Sequence, residues 1–170
     1  MPDHTPMRLT PDEYQDPLEN FETKEYTDPL EQALCEEVVG AIQHEPFECI
    51  SPETPVEVAV RKLAGLHIAC LLVATDGELL GVFSDRDVLD KVALEYEEVC
   101  AKPVSEVMTR NPIYVFETDS AAAALAVMVV AGYRHVPVLN SRGKLVGIVS
   151  PQRVTAFLSQ HYAAGDCTAT

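Results

Sequence analysis

Seven consecutive residues, Gly81-Val82-Phe83-Ser84-Asp85-Arg86-Asp87, return 66 positions later as Gly147-Ile148-Val149-Ser150-Pro151-Gln152-Arg153. The same offset carries Val38 to Val104, Pro46 to Pro112, Gly77 to Gly143, Leu79 to Leu145 and Val88 to Val154, with no gap. A repeat of this length is a whole small α/β unit rather than a solenoid turn. Two such units in tandem predict a pseudo-symmetric pair with a binding cleft between them. The copies part at the last motif position, Asp87 against Arg153, so the two halves of the cleft are expected to differ in function.

Local signals place the elements. Residues 1–28 are rich in Pro, Asp, Glu and Thr without a sustained apolar period, and read as an acidic, flexible arm. Leu30, Leu34, Val38, Ala41 and Ile42 recur at helical spacing. In the first repeat, Phe47–Ile50 reads as a strand. Thr54, Pro55 and Glu57 form a capping-box start to a helix that turns Val58, Leu63 and Leu66 to the core. Ala69–Ala74 and Leu79–Phe83 form a hairpin about Asp76-Gly77, and Ser84 caps a helix running to about Ala93. In the second repeat, Ile113–Phe116 is a strand, a helix spans about 120–131, and Val136–Leu139 turns at Arg142-Gly143 into Leu145–Val149. A last helix opens with Ser150 and Pro151 and runs to about Tyr162. The expected fold is therefore α/β (α+β): two tandem β-α-β-β-α repeats packed with pseudo-twofold symmetry. The expected divisions are the arm (1–28), an N-terminal helix with the first repeat (29–100), the second repeat (101–162) and a flexible tail (163–170).

Composition narrows the partners. A net charge of −15 argues against a nucleic-acid backbone or an anionic membrane surface. No apolar run approaches the roughly 18 residues that span a bilayer, and the N-terminus carries no apolar signal segment, so a cytoplasmic protein is expected. The five cysteines are widely spaced with no C-x-x-C, which points away from a zinc site or a disulfide framework and makes Cys49 and Cys70 small core residues. No serine–histidine–acid order, metal-ligand spacing or phosphate-cradling glycine loop is present, so no catalytic role is expected. The helix at 120–131 is apolar almost all round; membrane insertion is the competing reading, but the run is too short and ends at Gly132-Tyr133-Arg134, so burial between repeats or between protomers is expected.

Three further stretches name a family. Val104-Ser105-Glu106-Val107-Met108-Thr109-Arg110-Asn111-Pro112, Tyr133-Arg134-His135-Val136-Pro137-Val138 and Gly147-Ile148-Val149-Ser150 resemble a cystathionine-β-synthase (CBS) domain. Gly81 to Asp87 resembles its nucleotide-binding signature, glycine-x-x-serine/threonine-x-x-aspartate. The resemblance covers about residues 38–160. It implies a tandem CBS pair, or Bateman module: a regulatory sensor of adenosine derivatives that often dimerises.

The residues themselves fit such a ligand. A serine hydroxyl at Ser84, where a strand gives way to a helix N-terminus, can reach a phosphate oxygen. Asp87 offers two acceptor oxygens to vicinal ribose hydroxyls. The same pair also satisfies a capping box that needs no ligand. By resemblance, Arg134 and His135 occupy a phosphate-facing basic slot; the alternatives are a surface salt bridge for Arg134 and local hydrogen bonding for His135. The resemblance further implies one composite pocket. Val82, Ser84 and Asp87 come from the first repeat. Ile113, Tyr114, Tyr133, Arg134, His135 and Pro137 come from the second. Ile113 and Tyr114 would meet the base through backbone groups, and Tyr133 would stack on it or line the wall. A weaker twin pocket would hold Ser150 and Arg153 with Phe47, Glu48, Ile68 and Ala69, the last two standing where the other pocket has its basic pair. Arg153 opposes its helix dipole and calls for compensation by a phosphate or by a carboxylate such as Glu48. The expected ligand is an adenine nucleotide (AMP, ADP or ATP) or S-adenosylmethionine. The expected partners are a second copy of the chain and an effector protein. The competing expectation is a constitutive dimerisation or scaffold module with no ligand.

Overall fold

The computed structural model describes residues 25–42 and 45–162. The expected arm and tail thus lie almost entirely outside the described residues. The chain opens with helix α1 (Pro29–Glu36), capped by Asp28, whose carboxylate accepts from Leu30 N. The apolar spacing read as one helix to Ile42 is in fact broken at Glu37. Val39–Ala41 form a separate 3₁₀ turn, because Val39 N and Gly40 N donate instead to Asp119 O and Glu117 O of the second repeat.

The first repeat follows as β1 (Cys49–Ile50), α2 (Val56–Leu66), β2 (Cys70–Thr75), β3 (Glu78–Ser84) and α3 (Asp85–Asp87), the last continuing as a π-helical turn over Val88–Val92. A short α4 (Tyr96–Val99) and a 3₁₀ turn lead to β4 (Thr109–Arg110). The second repeat is β5 (Val115–Phe116), α5 (Ala121–Ala131), β6 (Val136–Leu139), β7 (Leu145–Val149) and α6 (Pro151–Tyr162). One sheet runs β1-β2-β3-β4, the other β5-β6-β7. In each, the first pair is parallel and the hairpin antiparallel.

Several local expectations need correction. Pro55, not Thr54, is the cap of α2, and it makes no side-chain bond; Thr54 instead gives its carbonyl to Val104 N. The helix phase is set by Val56, Ala59 and Leu63, which are buried, so Val58 and Leu66 face outward. The strand expected from Ile113 begins only at Val115. On α5, Ala121 and Ala124 enter the core, but Val129 and Val130 are 80% and 86% exposed.

The repeat is not gapless. Val39 and Val104 are equivalent: Val39 N donates to Asp119 O as Val104 N donates to Thr54 O. His67 and Gly132 close α2 and α5 with the same left-handed conformation, φ 53° and 68°. Leu71 and Val73 enter one core as Val136 and Val138 enter the other. All these pairs lie 65 apart. From Leu79 and Leu145 onward the offset is 66. The extra residue sits in the second hairpin turn: Ala74 pairs with Leu79, whereas Leu139 pairs with Leu145. The first turn is the tight two-residue kind, with Asp76 and Gly77 both at positive φ. One residue of register inverts which face a strand side chain points to, so the correction changes the site.

Two cores result. The first draws on Ile50 to Met108, including Phe83, Val99 and Val104. The second joins Ala33, Val39 and Ile42 to residues from Val115 to Phe157. A third cluster, Cys70, Leu72 and Val82 against Ile148, seals one sheet to the other and forms the floor of the cleft.

Candidate ligand-binding cleft

Two cavities open beside that seal. The first, of about 340 Å³, is lined by Val82, Ser84, Asp85, Arg86 and Asp87 at the end of β3, by Thr109 of β4, and by Ala131 to His135 leading into β6, with Cys70 behind. The second, of about 450 Å³, is lined by Ile148, Ser150, Pro151, Gln152 and Arg153, by Leu66 to Cys70, and by Pro46, Phe47 and Glu48. Leu66–Cys70 correspond to Ala131–His135 at the 65-residue offset. The counterparts of Arg134 and His135 are therefore Ala69 and Cys70, not Ile68 and Ala69. Cys70 and His135 border both cavities.

Of the residues expected at the composite pocket, the first cavity brings together Val82, Ser84, Asp87, Tyr133, Arg134 and His135. Ile113, Tyr114 and Pro137 are not among its walls. Ile113 and Tyr114 precede β5 and are about half exposed, Tyr114 bordering a separate depression with Asn111 and Leu139. Pro137 is buried within β6, opposite Ile148. Asp85, Arg86, Thr109 and Cys70 line the cavity without having been expected there.

Asp87 is the buried charged residue of the described chain, 4% exposed. Its Oδ2 accepts from Ser84 N and Ser84 Oγ, both at 2.9 Å. Its Oδ1 accepts from Lys91 Nζ at 2.7 Å and Thr109 Oγ1 at 2.8 Å. All four lone-pair positions of the carboxylate are thus taken. Burial alone would raise its pKa; the bonds from Lys91, Thr109 and Ser84 outweigh that and hold it below the ordinary value. Ser84 spends its one hydroxyl proton on this network.

Thr109 reaches Asp87 because β4 runs close beside β3, with Val82 opposite Thr109 and Gly81 opposite Arg110. A Cβ at Gly81 would fall 2.6 Å from Met108 Sδ and 2.7 Å from Thr109 O, so this approach requires glycine.

Across the cavity, Arg134 Nη2 donates to Asp85 Oδ1 at 2.6 Å, an ion pair between repeats. His135 is held below its ordinary pKa of 6.5 by burial and then by the Arg134 charge, with Asp85 pulling the other way; it is neutral at neutral pH. Burial also pushes the Cys70 thiol up to about 12, so it is a packing residue and not a nucleophile.

In the second cavity, Arg153 donates to Ile148 O at 2.8 Å and to Pro46 O. Glu48 does not compensate it, being paired with Lys62 Nζ at 2.7 Å. Backbone carbonyls hold Arg153 in place, and burial lowers its pKa.

Among the described residues, no helix is long and apolar enough to cross a membrane, and no group of three His, Cys, Asp or Glu could hold a metal ion.

Comparison with known proteins fits this geometry. Residues 39–94 and 104–160 each match the CBS domain. The CBS domain-containing protein CBSCBSPB3 of Arabidopsis thaliana is 37% identical over 97 residues, 56% of this chain and 17% of that protein. Its relative CBSCBSPB5 is 33% identical over 101 residues, 59% of this chain and 18% of that protein. The chain thus spans less than a fifth of these curated relatives. Among solved structures, CBSX2 in complex with AMP is 27% identical with a TM-score of 0.64, covering 73% of this chain and 97% of that one. The structure of CBSX2 from Arabidopsis thaliana gives 25% identity and a TM-score of 0.66, covering 75% of this chain and 97% of that one. The chain belongs to the CBS domain family and carries the domain twice, as a tandem pair.

Proposed function

We propose that this protein is a regulatory, non-catalytic module that binds an adenosine derivative in the cavity between Ser84–Asp87 and Tyr133–His135. One observation carries the reading. A single cavity of about 340 Å³ unites a hydroxyl and a carboxylate from one repeat with a tyrosine, a guanidinium and a neutral imidazole from the other. A ligand touching both sides has differential affinity for packed and loosened arrangements of the repeats, which is what a sensor requires. The AMP held by the similar CBSX2 supports an adenine nucleotide such as AMP, ADP or ATP; S-adenosylmethionine shares the same nucleoside. The second cavity, with Arg153 for the carboxylate, is the weaker site. Val129 and Val130 on α5 support a homodimer, and signal output passes to an effector protein.

Calorimetric titration of the full chain with adenosine, AMP and ATP tests this, together with mass spectrometry of small molecules released on denaturation. One site per chain that is lost in Asp87→Ala is the expected result. Silence with all three compounds would overturn it. That silence would favour the second reading, a ligand-free scaffold, for which the filled acceptor positions of Asp87 already speak.

A further inference from the structure

We infer that Asp85 is a built-in competitor for the anionic end of the ligand, seated on Arg134, one of the two guanidinium groups at the cavity walls. The inference rests on the adenosine-binding reading above and adds a selectivity device to it.

Once Lys91, which pairs with Asp87, is counted, the cavity carries one guanidinium, Arg86, more than its carboxylates. Its walls carry two carboxylates, Asp85 and Asp87, and two guanidinium groups, Arg86 and Arg134. His135 contributes no charge at neutral pH. Asp87 is bonded to Lys91 and lies buried. Arg134 is the cation that the second repeat brings to the cavity, and its Nη2 is committed at 2.6 Å to Asp85 Oδ1. That oxygen is held in position, because it also accepts from Arg86 N at 2.8 Å. An arriving phosphate meets an arginine that already has a carboxylate partner, within a chain of net charge −15.

Binding an anion here therefore exchanges one ion pair for another, and the displaced carboxylate stays close enough to repel the newcomer. A neutral nucleoside pays neither penalty. The pair is well exposed, with side chains 61% and 46% accessible, so it is weak enough to be replaced. It also joins the two repeats, 49 residues apart in sequence. Ligands that displace Asp85 would cut this link and those that do not would leave it, so one cavity can report a ligand's charge as well as its presence. The second cavity has no such device: Ala69 and Pro151 stand at the equivalent positions.

The test uses the full chain and measures the ratio of the adenosine Kd to the AMP Kd at fixed ionic strength. Asp85→Asn keeps an acceptor oxygen for Arg86 N but removes the charge. The ratio should rise about three- to tenfold, through tighter AMP binding, the size expected for losing one exposed ion pair and its repulsion. In an Arg134→Gln background the same substitution should move the ratio less than about twofold, since neighbouring groups acting through one contact are not additive. A ratio that stays level or falls in Asp85→Asn overturns the inference. A measurement on the unaltered protein guards against misfolding: AMP, and not adenosine, should shift the Arg134 Nε–Hε resonance, and equal shifts from both would also overturn it. If wild type binds both compounds but the ratio does not move, this inference alone fails. If neither compound binds, the proposed function falls and this falls with it.

Discussion

The two cavities are built on one plan and finished differently. Each lies at the end of a hairpin strand, beside a serine-led helix, and each is closed by the stretch that leads into the other repeat's hairpin. In the first, the serine is followed by Asp85, Arg86 and Asp87; in the second, by Pro151, Gln152 and Arg153. The first faces Tyr133-Arg134-His135, the second Ile68-Ala69-Cys70. One cavity is thus a network of paired charges that a polar ligand can enter by exchange. In the other, a guanidinium is tied to backbone carbonyls, and the facing stretch supplies Ile68, Ala69 and Cys70 in place of charged groups. The two cavities share a backbone plan and differ in side chain at all six of these positions.

Substitutions can break or sharpen that contrast. The largest effect is expected from Asp87→Ala. Loss of a charged acceptor costs about 1.5–3 kcal/mol, or one to two orders of magnitude in adenosine-ligand affinity, whereas Arg153→Ala should leave that isotherm within about twofold. Calorimetry on the two variants checks both halves of the statement, and the reverse ranking would put the ligand in the second cavity.

Gly81→Ala should come next. Its methyl group meets Met108 Sδ and the Thr109 carbonyl at under 3 Å, so β4 must move off β3. We expect about 1–3 kcal/mol of lost stability in urea titration, with weaker ligand binding as Thr109 leaves Asp87. An unchanged midpoint would mean that β4 can shift freely.

Building the missing charges into the twin should have a smaller effect. Ala69→Arg with Arg153→Asp should raise the stoichiometry of AMP from one site toward two. The new site should stay about tenfold or more weaker than the first, because it lacks a counterpart of the Lys91 contact. A stoichiometry still at one would show that side chains alone do not separate the cavities.

The smallest effect concerns pH. His135 titrates below its ordinary 6.5 in the fold, so the unfolded chain takes up its proton first as pH falls. Its contribution to stability is full above about pH 6.5 and is lost as pH drops toward the lowered value. Asp87 has the same sign at more acidic pH, below the ordinary 3.8. His135→Gln should flatten the stability curve just below about pH 6.5 while leaving the deeper acid limb unchanged. Parallel curves for variant and wild type would remove His135 from the balance.

Much of this was legible in the chain. The hairpins were marked by Asp76-Gly77 and Arg142-Gly143, and the serine-led helices by Ser84 and Ser150. The gap was not. Val38-Val39 is a doublet, so Val104 matches at an offset of 65 or 66, and Pro46 with Pro112 favoured the wrong one by coincidence. Hydrogen bonds, not residue identities, decide it. The cavity's own saturation was equally hidden: Lys91 and Thr109 lie four and 22 residues from Asp87, and only the close approach of β4 at Gly81 brings Thr109 in. The signature pointed to Ser84 and Asp87 but gave no sign that Asp85, between them, would be the residue to meet Arg134. The local pattern marks a strand from Ile113 that begins only at Val115, and the contact of Ile113 and Tyr114 with a base came from the resemblance alone.

The interleaving of the two cores has a consequence for how the protein is made. The first core is drawn from one continuous stretch, Ile50 to Met108, and is complete as soon as that stretch has left the ribosome. The second is not: Ala33, Val39 and Ile42 are synthesised before the first core, yet their partners run from Val115 to Phe157. Residues 33–42 therefore cannot complete their core until an entire repeat and its successor have been synthesised after them. Their packing is completed late, although they are translated first.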